Sequence, residues 1–247
     1  MFDVLSIIAS YCEDAKDFTN LLMTCKDFYQ YRNDKRWIKQ PPLIFNHKWN
    51  KYPSKKIPGY CGIQVNFCQP DIICGTKLDD RVRVVNIKQS TAFIDIENIN
   101  NLETLNYENG LMTSKIQSES LQKLILTEQA GLKEIKCPKL EYLSITECGR
   151  VATVTDFEKL HTLECYGCYN LCALTSLPKL HTLILFDAHE MTKIKHMPSL
   201  KNVTVVNCSN LVSIDNEYID VLCIWNCYSF DYKNIKHRIL KIDGMIV

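Results

Sequence analysis

The sequence lacks the features that mark most enzymes, membrane proteins and nucleic-acid-binding proteins. Only 8 of its 247 residues are glycine, and no glycine-rich phosphate loop or nucleophile elbow follows a predicted strand. No apolar run approaches the roughly 20 residues that cross a bilayer. The formal net charge of +1 gives no basic excess that would attract nucleic acid or anionic lipid. We therefore expect a non-enzyme that needs no cofactor or metal and binds neither membrane nor nucleic acid.

Cysteine is abundant, with 13 residues, but the context does not favour disulfides. The first residues show no basic segment leading into an apolar run with a cleavage site, as a secretory signal would. We therefore expect a reducing, cytoplasmic location. Four cysteines recur at one position of the repeat described next, which favours a shared packing role: Cys148, Cys168, Cys208 and Cys227.

From about Val82 to the end, apolar residues recur every 19 or 20 residues. The clearest copies begin at Leu140, Leu160, Leu180 and Leu200 and read, or nearly read, Leu-x-x-Leu-x-Leu-x-x-Cys. This pattern resembles a leucine-rich repeat. The alternating head of each copy predicts a strand with one buried face, and a second apolar pair is expected to fold back over the core.

Stacked copies predict a solenoid with one parallel sheet and short extended or single-turn segments on the return side. The Cys, Ala or Gln after each strand is expected to pack while bonding backbone, and the Leu-Pro and Met-Pro pairs to give an extended entry to the next strand. Residues 228–247 are expected to cap the C-terminal end. The predicted fold class is thus α/β: a solenoid of short 19–20-residue repeats preceded by a small three-helix segment.

The first forty residues change to helical periodicity, with apolar residues at i, i+3, i+4 and i+7. Residues 2–39 resemble an F-box: Ser10-Tyr11 closes the first helix, Asp17-Phe18 opens the second, and Trp37 ends the segment. The usual Leu-Pro is missing at the start.

In the F-box family this module docks on a Skp-type adaptor, which links it to a cullin complex, while a repeat domain holds the substrate. The resemblance assigns the adaptor-facing role to Leu5, Ile8, Phe18, Leu21, Leu22 and Cys25. Such proteins are similar to those of protists and of large DNA viruses of amoebae, which would place a viral version in host cytoplasm. The alternative is that these helices only cap the solenoid, packing on Ile63 and Val65.

The sequence divides into three predicted segments. Residues 1–40 form the F-box-like part, residues 41–59 a linker rich in proline and lysine, and residues 60–247 the solenoid with its C-terminal cap. Proline density predicts a semi-rigid connection, and the linker lysines are interpreted as solvated charge rather than a nucleic-acid site.

Two groups of residues have the composition of a metal-binding or catalytic site. Cys165-x-x-Cys168 with Cys172 has a spacing compatible with zinc, but the repeat also explains these cysteines by position. His161 and His181 share one phase of successive repeats and should lie about 5 Å apart, as part of a polar ladder or as a metal or catalytic pair.

The outward strand positions could select a partner. The position after the second strand anchor is polar in the early repeats and apolar in the later ones, and an exposed apolar stripe with a polar rim is typical of a protein-binding site. The predicted partner-binding residues are Tyr166, Ile184, Phe186, Val206 and Trp225. Alternatively, the C-terminal segment folds over this stripe.

These patterns support a substrate-recruiting subunit of a cullin-type ubiquitin ligase (SCF), with an unknown protein substrate. A repeat scaffold without a ubiquitin link is the alternative, and a metal- or thiol-dependent enzyme is a third class.

Overall fold

The computed structural model describes residues 43–46, 63–67, 82–88, 101–109 and 115–246, the first two ranges by backbone alone. The strands are β1 Leu43–Asn46, β2 Ile63–Phe67, β3 Val82–Lys88, β4 Thr104–Glu108, β5 Lys115–Gln117, β6 Lys123–Thr127, β7 Glu134–Lys136, β8 Tyr142–Thr146 and β9 Thr153–Thr155. They continue as β10 Thr162–Tyr166, β11 Ala173–Thr175, β12 Thr182–Phe186, β13 Lys193–Ile194, β14 Asn202–Val206, β15 Ser213–Ile214, β16 Tyr218–Trp225, β17 Lys236–Ile242 and β18 Met245–Ile246.

The described chain is a parallel-strand β-solenoid of about seven turns. Twelve strands form one long sheet in the order β1-β2-β3-β4-β6-β8-β10-β12-β14-β16-β17-β18, parallel throughout except for the last pair. On the opposite side the short strands pair only two by two, as β5 with β7, β9 with β11 and β13 with β15. The predicted parallel sheet with short extended return segments is therefore observed.

The register of the long sheet places the same repeat position of each turn side by side. Leu163 of β10 lies beside Leu143 of β8 and Leu183 of β12. The sequence period fixes this register, because shifting one strand by one residue would exchange its buried and solvent-facing side chains. The inward row and the residues that fold back over it form one core, in which the anchors predicted for the four clearest repeats are all buried.

Seven strands of the long sheet, β4, β6, β8, β10, β12, β14 and β16, are each followed directly by a residue in the left-handed region. The φ values at this corner lie between 51° and 61° for Asn109, Glu128, Glu147, Gly167, Asp187, Asn207 and Asn226. Two of these residues are glutamates, which seldom adopt this conformation, and its cost is on the order of 1 kcal/mol per residue. The first six donate their backbone N–H to the last carbonyl of the next strand, with N···O distances of 2.8 to 3.0 Å. A repeated interturn hydrogen bond thus holds the corner.

The residue directly after the corner is small or weakly polar, as predicted, and it bonds backbone where its side chain carries a polar atom. Cys148 Sγ lies 3.4 Å from the Thr146 carbonyl oxygen, and Cys227 Sγ lies 3.2 Å from that of Trp225. In the turn that carries Gln129, the side-chain Nε2 donates to the carbonyls of Thr127 at 2.9 Å and Tyr107 at 3.2 Å.

The prolines differ from the prediction. Pro138 and Pro178 lie inside turns, in which the N–H of Leu140 donates to the Cys137 carbonyl and that of Leu180 to Leu177. Proline at the second position of a β-turn suits the turn because its φ is already fixed near −65°. The proline therefore closes a turn before the next strand and does not begin an extended entry.

The predicted division into segments can be compared with the strands at the two ends of the solenoid. β1 lies within residues 41–59, predicted as a linker, and pairs in parallel with β2. The three helices predicted for residues 1–40, on which the α/β class rested, lie outside the described residues. Every regular secondary-structure element among the described residues is a strand, so none of these elements is a helix that could span a membrane. At the C-terminal end, β17 continues the sheet and β18 folds back on it in an antiparallel hairpin.

Candidate protein-binding face

The outer face of the long sheet carries three rows of side chains, since alternate strand residues point away from the core. The row nearest the corner includes Tyr166, Phe186, Val206 and Trp225, which neighbour one another in register on β10, β12, β14 and β16. We call these four residues the aromatic row. Ile184 lies in the middle row, beside Glu164. The structure thus brings the five predicted partner-binding residues together on one surface.

Within the aromatic row, Tyr166 and Phe186 contact each other. The rings of Tyr166 and Phe186 lie with centroids 5.1 Å apart and planes inclined by 38°, a separation typical of favourable aromatic pairs. Tyr166, Ile184, Phe186 and Val206 are half-buried because each shields the next. The row therefore presents one continuous apolar surface to solvent.

Trp225 ends the aromatic row and is 47% exposed. Its ring packs against Gly244, where an added Cβ would lie 2.8 Å from Trp225 Cζ3. Gly244 also has a φ of 84°, so only glycine fits this close approach without strain. The C-terminal hairpin thus contacts Trp225 but leaves about half of its side chain exposed.

A polar ladder borders the aromatic row at the corner. Asn207 Nδ2 donates to Asp187 Oδ1 at 2.9 Å, and Asn226 Nδ2 donates to Asn207 Oδ1 at 3.1 Å. The N–H of Asn226 donates to Asp243 Oδ1 at 3.0 Å. This ladder fixes the rim while the row beside it stays apolar, which is the arrangement of many protein interfaces.

Polar side chains in the early turns are paired with each other. Arg83 and Glu103 form a two-bond ion pair at 2.8 Å, and Lys88 lies 3.8 Å from Glu108. Asn106 Nδ2 donates to Asn86 Oδ1. Because the charged groups here are paired with one another, this part of the face offers less free charge to a partner than an unpaired surface would.

A second cluster on the same face was not predicted. Tyr142 of β8 donates its hydroxyl to Glu164 Oε2 at 2.8 Å, and Lys123 Nζ lies 4.9 Å from the centroid of the Tyr142 ring. Burial raises the pKa of Tyr142 to about 12, and the hydrogen bond to Glu164 and its negative charge add to this effect. Burial and the same charge also raise the pKa of Tyr166. The sequence signal for this cluster was limited to Tyr166, two residues after Glu164 on the same strand.

The cysteines occupy packing positions. Cys165 and Cys168 are buried, whereas Cys172 is exposed and its Sγ lies 3.4 Å from the Ala152 carbonyl oxygen. In the part of the chain that the structure describes, no three His, Cys, Asp or Glu side chains are grouped to hold a metal ion.

Burial also raises the pKa of several of these thiols. It raises the pKa of Cys137 to about 12 and that of Cys148 to about 11. A hydrogen bond with Cys208 lowers the pKa of Cys227 to about 7, but Cys227 is only 7% exposed. An acidic thiol shielded in this way is poorly placed to attack a substrate.

His161 and His181 lie side by side as the repeat predicted. Their ring centroids are 5.9 Å apart in an edge-to-face arrangement, and both residues are exposed. His181 Nδ1 is 3.1 Å from the Lys179 carbonyl oxygen. These contacts are those of a polar ladder on the surface.

The back of the solenoid carries a groove of about 380 Å³ between β7 and β9, where the short sheets do not pair. An ion pair occupies its rim: Lys136 Nζ lies 2.7 Å from Glu134 Oε1, and this hydrogen bond lowers the pKa of Glu134. The two charges therefore neutralise each other at this rim.

The predicted adaptor-facing residues, Leu5, Ile8, Phe18, Leu21, Leu22 and Cys25, lie outside the described residues. Comparison of the chain with protein-family models, with curated proteins and with solved structures found no match. The described residues show the class of fold, which is a repeat β-solenoid with an apolar stripe on the outer face of its long sheet.

Proposed function

We propose that this chain recognises a protein partner through the outer face of its long sheet. The observation that carries this proposal is the aromatic row: four apolar side chains that lie side by side in successive turns and point away from the core, with the rings of Tyr166 and Phe186 in contact. Isolated apolar residues on a surface are ordinary, but a contiguous apolar stripe beside a polar rim is typical of interaction sites.

The partner experiment compares variants of the aromatic row with a control at the same repeat position in an earlier turn. Phe186→Ala and Trp225→Ala should each weaken capture of the partner roughly thirtyfold, since aromatic anchors contribute about 2 kcal/mol or more to an interface. Thr127→Ala, at that position on β6, should leave capture unchanged. The measurement is quantitative mass spectrometry of proteins copurified with the full chain from the cells that make it. Copurification that is equal for all three variants contradicts the proposal.

The finer proposal is an F-box-like leucine-rich-repeat protein that recruits substrate to a cullin-type ubiquitin ligase. The repeat heads, Leu-x-x-Leu-x-Leu, each supply one turn of the solenoid and support the leucine-rich-repeat assignment. The adaptor role rests on the sequence resemblance of residues 2–39 alone. In this proposal the repeats hold the target and the partner complex performs the ubiquitin transfer.

Adaptor binding is tested separately. Replacing Leu21 and Leu22 with Asp should abolish copurification of a Skp-type adaptor, because charge on the apolar docking face cannot be buried without a partner. The strand signal in circular dichroism should remain, since residues 82–246 carry the solenoid. If the unaltered chain binds no adaptor at micromolar concentration, the helices act as a cap and the chain is a binding scaffold without a ubiquitin link.

A further inference from the structure

Glu164 lies in the middle row of the outer face, between the row that contains Thr162 and the aromatic row. It lies half-buried on β10, with Tyr166 two residues further along the same strand and Ile184 beside it on β12. Tyr142 reaches it diagonally from β8 and donates its hydroxyl at 2.8 Å. A carboxylate is therefore placed among aromatic and apolar side chains and not at their solvated edge.

The charge of Glu164 is not neutralised within the described chain. Two other glutamates of the sheet are paired, Glu103 with Arg83 at 2.8 Å and Glu108 with Lys88 at 3.8 Å. Among the described residues no cation forms an ion pair with Glu164. A carboxylate has about four acceptor sites, so Glu164 keeps some of them free although its neighbouring donors are the neutral hydroxyls of Tyr142 and Tyr166. An incoming cation would gain from the partly desolvated surroundings.

The neighbouring rings add a second attraction for a cation. Positive groups are attracted to the faces of Tyr and Phe rings within about 6 Å of the centroid. This face already shows the effect, since Lys123 Nζ lies 4.9 Å from the centroid of Tyr142. Tyr166 and Phe186 provide two further rings next to Glu164, with centroids 5.1 Å apart.

We propose that Glu164 binds an arginine side chain of the partner, with the guanidinium between Tyr142 and Tyr166. A planar guanidinium can donate two parallel hydrogen bonds to one carboxylate and stack on aromatic rings, whereas the compact ammonium of lysine can do neither. This inference rests on the proposed protein-binding function and names the chemistry of its partner.

The aromatic row sets the distance from this arginine to the apolar part of the same segment. β10 and β16 are separated by three strand spacings, or roughly 14 Å at about 4.8 Å each. An extended chain covers this distance in four to five residues at about 3.3 Å per residue. The expected ligand is an extended segment with an arginine and, about four residues away, a large apolar residue over Trp225.

The test selects peptides from a randomised dodecapeptide phage library on the full chain and measures affinities with synthetic copies. Selected peptides should be enriched in arginine. Replacing that arginine with citrulline, which keeps the shape and removes the charge, should weaken binding at least tenfold, and replacement with lysine should weaken it by a smaller factor.

Two protein variants locate the effect. Glu164→Gln retains an acceptor for the Tyr142 hydroxyl and should weaken arginine peptides at least tenfold with an unchanged melting temperature. Glu158→Gln, the matched control, removes the same charge from the exposed turn directly before β10 and should have no effect.

The outcomes separate the inference from the function on which it rests. Peptides that lose binding in Phe186→Ala but contain no arginine, or that bind Glu164→Gln equally well, overturn the arginine site and leave the protein-binding face in place. If no selected peptide depends on Phe186 or on Glu164, both are overturned.

Discussion

The two faces of the long sheet are made by one backbone but follow different rules. On β12, Leu183 and Leu185 point inward and are fully buried, whereas Thr182, Ile184 and Phe186 point outward and are half-buried. The inward positions repeat nearly the same aliphatic residue in every turn because each must fit between identical neighbours. The outward positions are free of this constraint, and only there does the chemistry change along the solenoid, from paired charges in the early turns to the aromatic row.

The largest expected effect comes from placing a charge on the inward face, compared with the same charge on the outward face. Leu183→Asp should destabilise the solenoid by roughly 4 kcal/mol or more, because an unpaired carboxylate is among the costliest groups to bury. Thr182→Asp, the adjacent outward change, should cost about 0.5 kcal/mol or less. Thermal unfolding followed by circular dichroism distinguishes them, and similar melting temperatures would show that the two faces are not distinct.

A truncation pair tests the same contrast without charge. Leu185→Ala should cost about 2 to 5 kcal/mol, since it leaves a cavity in a core that cannot collapse around one turn. Phe186→Ala removes more atoms but, being half exposed, should cost about 1 kcal/mol or less. Urea unfolding gives both values; a larger loss for Phe186→Ala would mean that the aromatic row supports the fold and not recognition.

An intermediate effect is expected at the corner, where the two faces meet. Gln129 is fully buried, and Gln129→Ala removes its hydrogen bonds to the carbonyls of Tyr107 and Thr127. Leaving buried carbonyls without a donor should cost about 1 to 3 kcal/mol. Glu128→Ala, one residue earlier and exposed, keeps the backbone bond to Thr146 and serves as the control in the same unfolding measurement. Equal losses would show that the Gln129 side chain does not hold the turn.

The smallest expected effect concerns the outer face alone and appears at alkaline pH. Because the folded pKa of Tyr142, about 12, lies above the usual value near 10, its contribution to stability is complete below about pH 10 and declines as the pH rises toward 12. Absorbance titration of Glu164→Gln should show this tyrosine ionising at lower pH than in the unaltered chain. Tyr142→Phe, as the control, should remove the titration step altogether, and an unchanged step in Glu164→Gln would contradict the contact.

Part of the candidate site was predictable from the sequence, and part was not. The aromatic row was predicted because its members share one position of the repeat, so the period alone places them side by side. Tyr142 and Glu164 occupy different positions in different turns, and their contact runs diagonally across two strands. Such a contact depends on register and side-chain direction, which a linear pattern does not specify.

The sequence by itself determined the solenoid, because a 19–20-residue apolar period leaves only one way for every turn to bury its leucines against the next. It also determined which strand residues point inward, since side chains alternate along an extended chain. Only the tertiary structure decided the corners. Glu128 and Glu147 have no intrinsic preference for positive φ, and they adopt it because the next turn offers a carbonyl to each of their N–H groups. The placement of Gly244 against Trp225 likewise depends on the C-terminal hairpin folding back over the last turns.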